Sequence, residues 1–230
     1  MTRRTYGQFC AVAKALDIVG ERWTLLLVRE LMLGPRRFTD LQTVLPGLGT
    51  NLLSARLKQL EDAGAVRRDR LPPPAASTVY RLTELGSGLA PVVKALADWG
   101  NHLLGEPAGD ETFRPEWLAL YLAASAPAIP GVRETYQLDV DGQLLHIRVA
   151  DGRAWAQLGP SPYPPDLVLT TDTATFAELG LGDLDLATAV RTGRVRTDAA
   201  PDVLDRAGRV LTGVARAADD PTAPVSPLSR

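Results

Sequence analysis

A single cysteine, Cys10, stands in the whole 230-residue sequence. That excludes a disulfide framework within the chain and a cysteine-based zinc site. Histidine is nearly as scarce. His102 and His146 are the only two, and neither has metal-binding spacing such as H-E-x-x-H. His146 alternates onto the polar face of an expected strand, where a solvated or hydrogen-bonded ring is the default. There is no run of about eighteen apolar residues for a membrane helix, and no charged-then-apolar leader at Met1 to Val12. No G-x-S-x-G elbow occurs. Gly47-Leu48-Gly49 and Gly180-Leu181-Gly182 lack the third glycine and the preceding strand of a dinucleotide loop. The expectation is a cytoplasmic protein with no catalytic residue, metal or cofactor and no membrane contact.

Net positive charge is also lacking, at −2 overall with a pI near 5.7. That average hides a division. Residues 1–100 hold fourteen Lys and Arg against nine Asp and Glu, a surplus of five positive charges. Residues 101–230 hold eleven against eighteen, a surplus of seven negative charges. A basic half joined to an acidic half implies two surfaces with different partners.

What is present is clearest between Arg36 and Leu82. Thr39 and Gln42 have S/T-x-x-Q spacing, which predicts a capped helix starting there. Leu41, Val44 and Leu45 give it an apolar face, and Pro46-Gly47 ends it. A second helix is expected from Thr50 to Ala63, stopped by Gly64. Leu53, Leu57 and Leu60 form its buried stripe, with Asn51, Ser54, Ala55 and Lys58 opposite. Such small polar groups and a cation suit base edges and phosphates. By itself the pattern is equally that of any amphipathic helix. The basic strand Val66 to Arg70 shifts the balance. It is followed by the proline-rich tip Leu71 to Ser77 and the returning strand Thr78 to Leu82. Three arginines on one strand, Arg67, Arg68 and Arg70, are expected to make a phosphate-binding ridge.

Earlier in the chain, Cys10 to Val19 and Arg22 to Leu33 read as helices ended by Gly20 and Gly34-Pro35. Trp23, with Leu26, Leu27, Glu30 and Leu31 beside it, reads as core. After the hairpin, Thr83 can cap one helix from Glu84 to Leu104 with the stripe Leu85, Leu89, Val92, Leu96 and Trp99. That stripe exceeds what so small a unit can cover, which marks an oligomer interface.

These residues carry a family likeness. Cys10, Gly20 to Thr24, Leu31 to Leu41, Leu57 to Gly64 and Tyr80 to Gly86 resemble the HxlR family of bacterial transcription regulators over about Gln8 to Gly100. The resemblance implies a winged helix-turn-helix homodimer on double-stranded DNA, paired through its first helix and the Glu84–Leu104 helix. It departs from the family at the tip Pro72 to Ala76, which is richer in proline and alanine. Arg36, Arg37, Thr39, Thr50, Asn51, Ser54, Ala55, Lys58, Arg67, Arg68 and Arg70 are the expected DNA contacts. Cys10 is either a redox sensor, as in some relatives, or a small buried helix residue.

Residues 105–114 have linker composition. A helix is expected from Pro115 to Ala124, then strands at Tyr136–Val140, Leu145–Val149 and Arg153–Leu158. Asp141-Gly142 and Asp151-Gly152 between them are strong hairpin signals. A fourth strand at Leu167–Leu169, helices at Thr173–Leu179 and Asp185–Arg191, a fifth strand at Gly193–Thr197 and a helix from Pro201 to Leu211 complete the unit. The tail 218–230 has the composition of disorder. This element order, over about Pro115 to Leu211, resembles a sterol-carrier-protein domain. The likeness implies an apolar tunnel lined by Leu118, Leu122, Trp155, Leu169, Phe176, Leu179 and Val190. The alternative is that these side chains simply fill the core.

The expected class is therefore α+β. A winged unit at 1–104 precedes a smaller α+β domain at 115–217, with a five-stranded, mostly antiparallel sheet covered by helices. The expected function is dimeric recognition of a pseudo-palindromic operator, with the acidic half either sensing a hydrophobic small-molecule effector or adding a further dimer contact. The rivals are a carrier of lipid-like molecules whose winged half mediates protein contacts, and a Cys10 redox regulator.

Overall fold

The computed structural model describes residues 5–72, 76–104 and 111–212. The tip residues 73–75, most of the expected linker and the tail beyond Thr212 lie outside them. The chain divides into two compact units, residues 1–96 and 97–230.

In the first unit, α1 (Ala11–Val19) follows an extended Cys10, and α2 (Thr24–Met32) follows Trp23, whose backbone is left-handed at φ 79°. The indole fills the space over Gly47, where a Cβ would come within 2.8 Å of the ring. Trp23 is thus half-buried against the core, as its neighbours suggested. Helix α3 (Phe38–Val44) begins one residue before the expected cap. Asp40 makes the cap by accepting the Arg37 N–H at 2.9 Å, and Gln42 is left for another task. Helix α4 (Thr50–Asp62) buries Leu53, Leu57 and Leu60 at 1 % exposure or less. Each such leucine contributes about 1.5–3 kcal/mol of apolar burial. Gly64, at φ 73°, turns the chain into β1 (Val66–Arg70), which pairs antiparallel with β2 (Thr78–Leu82).

The single helix expected from Glu84 to Leu104 is two: α5 (Glu84–Ser87) and α6 (Ala90–Asn101). Thr83 caps the first as expected, accepting the Gly86 N–H at 3.2 Å while donating to the Gly64 carbonyl at 2.6 Å. Gly86 lies directly on the Ala65 carbonyl, so close that no Cβ would fit. The break comes at Gly88-Leu89, where the chain re-enters helix with Pro91 in the new first turn. Proline has no N–H to continue the older ladder.

The second unit contains α7 (Pro115–Ser125), β3 (Glu134–Val140), β4 (Gln143–Ala150), β5 (Arg153–Leu158), β6 (Leu167–Thr171), α8 (Thr173–Leu181), α9 (Leu186–Arg191) and α10 (Pro201–Leu211). The sheet order is β5-β4-β3-β6, antiparallel except for the β3–β6 pair. Both Asp-Gly turns carry positive φ at both residues, the mirror-image turn that twisted hairpins need. The sheet has four strands, not five. The N–H groups of Arg194 and Val195 both turn back to the Ala189 carbonyl (2.9 and 3.0 Å) and close off α9. Only Arg196 remains to bridge Thr170. Gly180 of α8 sits against Leu118 of α7, where a Cβ would meet Cδ2 at 2.6 Å. Among the described residues, no helix is long and apolar enough to cross a membrane, and no cluster of His, Cys, Asp and Glu could hold a metal.

Candidate nucleic-acid interface

Three leucines fix which way α4 faces. With Leu53, Leu57 and Leu60 inward, the helical repeat turns Asn51, Ser54, Ala55 and Lys58 to solvent, and Thr50 is exposed at the first turn. Lys58 Nζ rests 3.1 Å from Asp62 one turn on, an exposed pair that a phosphate can replace at little cost. Gln42 Nε2 donates to Thr50 Oγ1 at 2.8 Å, joining α3 to the start of α4. The S/T-x-x-Q spacing alone points Gln42 to a cap and carries no sign of this latch. Arg37 and Thr39 are exposed at the start of α3.

Arg36 is placed otherwise. Its backbone pairs with Tyr80 as a one-residue extension of the hairpin, through hydrogen bonds of 2.7 and 3.0 Å. Its guanidinium turns inward to Glu30, 3.4 Å away, and the side chain is only 14 % exposed. Glu30, fully buried, also holds Arg29 at 2.8 Å. Two cations around one buried carboxylate make a structural ion cluster, and Arg36 leaves the expected set of contacts.

The arginine ridge also divides. Side chains alternate along a strand, so Arg68 and Arg70 share one face and Arg67 lies with Asp69 on the other. Arg68 reaches Glu61 of α4 at 2.8 Å and stacks over Tyr80, 5.4 Å from the ring centre. The Glu61 carboxylate raises the Arg68 pKa further, so this charge is permanent. Arg67 and Arg81 converge on Asp69 at 3.4 and 2.9 Å. The cationic face beside α4 is thus carried by Arg68 and Arg70.

Two apolar strips remain open. Phe9, Val12 and Leu16 line the outer side of α1 and the residues before it. Leu85, Val92, Leu96 and Trp99 line α5 and α6 at 44–64 % exposure, whereas Leu89 and Val93 pack on the core. Cys10 is exposed at the start of α1, which overturns its reading as a buried residue. The backbone N–H groups of Ala13 and then Val12 stabilise its thiolate and lower its pKa.

The seven residues expected to line a tunnel do not all lie on one side of the sheet. Leu122, Leu169, Phe176 and Leu179 are at most 2 % exposed and fill the helix-covered side of the sheet. Leu118 packs on Gly180, and Val190 is half-buried. Trp155 stands on the opposite face, 39 % exposed, beside Arg148. A concavity of about 420 Å³ in this unit is polar, bounded by Asp139, Asp141, Asp172, Arg194 and Arg196. Its carboxylates are engaged: Asp139 accepts from Gly142, Asp141 from Thr173 and Asp172 from Thr175. His146 is 6 % exposed, with Nδ1 3.1 Å from the Gly159 carbonyl, a hydrogen-bonded ring.

Residues 18–107 match the HxlR-like helix-turn-helix family. The HTH-type transcriptional regulator YvaP of Bacillus subtilis is 41% identical over 86 residues, which are 37% of this chain and 80% of that protein. The regulator YodB of the same organism is 34% identical over 87 residues, 38% of this chain and 78% of its own length. Rv3095 of Mycobacterium tuberculosis is 40% identical over 99 residues, 43% of this chain and 62% of that protein. The solved structure of reduced YodB is 30% identical over 44% of this chain and all of that one, with a TM-score of 0.38.

Proposed function

This chain belongs to the HxlR-like helix-turn-helix family of bacterial transcriptional regulators, and from that premise we propose that it binds an operator in double-stranded DNA as a homodimer, in the cytoplasm. One observation carries the reading. The face of α4 that bears Thr50, Asn51, Ser54, Ala55 and Lys58 is open, with Arg68 held to Glu61 of the same helix, Arg70 exposed on the same strand face as Arg68, and Arg37 exposed at the start of α3, which Gln42 joins to Thr50. A helix of that kind lies in a major groove while the flanking cations take phosphates. Arg67, on the opposite face of β1 from Arg68 and Arg70, has the weaker claim to a phosphate. The open strips on α1 and α5–α6 are the surfaces proposed to pair, which would set two recognition helices about one DNA turn, 34 Å, apart.

The purified full chain should enrich duplexes from a random pool whose sites have two-fold symmetry, with half-sites about ten base pairs apart. Footprinting on a selected site should protect both halves. Enrichment of nothing beyond the starting pool would refute the proposal and return the winged unit to a role in protein contacts.

A further inference from the structure

Helix α1 is held to the first unit by little apolar surface. Of its nine residues only Ala13 and Val19 are buried, with Asp17 and Ile18 half-buried. Its last carbonyls also need partners, because a helix leaves its final C=O groups without intrahelical donors. Those partners come from α4. Gln59 Nε2 donates to the Ile18 carbonyl at 3.0 Å and to the Asp17 carbonyl at 3.3 Å. Gln59 Oε1 accepts from Arg56 Nη1 at 3.2 Å. The same guanidinium holds Glu21 Oε2 at 2.7 Å and reaches the Arg22 carbonyl at 3.4 Å. Asp17 in turn accepts the Tyr6 N–H at 2.9 Å, so the segment before α1 joins the chain of bonds.

Arg56 and Gln59 are three residues apart on one flank of α4, between its buried leucines and its open polar face. Neither can take part in the packing of the leucine stripe or point with Asn51 and Ser54. They make directional bonds, which fix angle and register where a sparse apolar contact would allow sliding. We infer that Gln59 and Arg56 are positioning residues that lock the recognition helix to α1, so that the pairing of two subunits through α1 dictates the separation of their two recognition helices. The inference rests on the DNA-binding reading above and adds to it the residues that set operator spacing.

The test uses the full chain with Gln59→Leu and, in parallel, Arg56→Lys, which keeps the charge beside Glu21 but loses the fork. The probes are a selected duplex site, versions of it with one base pair added or removed between the half-sites, and a single half-site. Wild type should prefer its own spacing by about tenfold, the order expected when one docking contact is strained. Both variants should lose about fivefold to tenfold on the full site and bind the three spacings within about twofold of one another, with half-site affinity unchanged. Hydrogen exchange at the amides of Ile18, Val19 and Gly20 should quicken by at least about fivefold in both variants. Variants that keep the wild-type spacing preference and the wild-type exchange at these amides overturn the inference alone. Equal losses on half-site and full site also overturn it, because they indicate general damage to α4. A wild-type chain that binds no duplex overturns the DNA reading and this inference together.

Discussion

Arg36 turns its guanidinium inward onto the buried carboxylate of Glu30, 3.4 Å away, while its immediate neighbour Arg37 stays in solvent. Adjacent residues of one type therefore have separate tasks, and substitutions should separate them. Arg36→Ala removes one of the two arginines at the buried Glu30 carboxylate and should lower stability by about 1–3 kcal/mol, the usual cost of removing a partner from a buried polar group. The salt dependence of DNA binding should stay as it was. Arg37→Ala should leave the urea midpoint in place and make the salt slope of a dimer shallower by about two, one phosphate per subunit. The reverse pattern would show that Arg36 is the phosphate ligand.

Asn51 is the amide on the open face of α4 best placed to contact a base edge. Asn51→Ala should cost about 1–3 kcal/mol on a selected site and much less on unrelated duplex, with no change in salt slope. Equal losses on both kinds of DNA, measured by fluorescence anisotropy, would move Asn51 out of base reading.

Much of this is legible in the sequence alone. Leucines at i, i+4 and i+7 located α4 and its outward residues, because that periodicity depends only on helix geometry. The two Asp-Gly pairs located their hairpins for the same local reason. Arg36 was not legible, since its partner Glu30 lies on α2 and only folding turns the guanidinium onto it. Nor was the loss of the fifth strand, which turns on two N–H groups sharing the Ala189 carbonyl. Two other departures from expectation do have signals in the sequence. Gly88 and Pro91 announce the break between α5 and α6. The parity of Trp155 with Arg153 and Gln157 puts it on the polar side of the sheet. Gln59 and Arg56 carry no sequence signal of their task, because the carbonyls they bond lie some 34 to 42 residues earlier in the chain.

Leu96 is 46 % exposed in the middle of the α6 strip. Leu96→Asp should therefore fold like wild type, since no core contact is lost. In sedimentation the wild type should run as a dimer and the variant as a monomer. Its affinity for a two-half-site duplex should drop at least about a hundredfold, the advantage of linked binding being gone. A dimer unaffected by the charge would place the subunit interface elsewhere.

Cys10 combines exposure with a thiolate favoured by the N–H groups of Ala13 and Val12. A lowered pKa shifts reactivity downward in pH, because the thiolate is the nucleophile. The midpoint of the rate of iodoacetamide alkylation against pH should fall below that of the same chain in urea, where those N–H donors are lost. Coincident midpoints would remove the helix start as the cause.

On the proposed reading, Arg37, Lys58, Arg68 and Arg70 grip phosphates around an α4 laid in the groove. The most direct measurement is affinity for a selected operator as a function of salt. With four contacts from each of two subunits, the logarithm of the binding constant should fall with a slope of about −7 against the logarithm of salt concentration. Replacing all four by alanine should flatten the slope to about −2 or less while the chain stays folded and dimeric. A shallow slope in the wild type, or an unchanged one in the fourfold variant, would contradict the account.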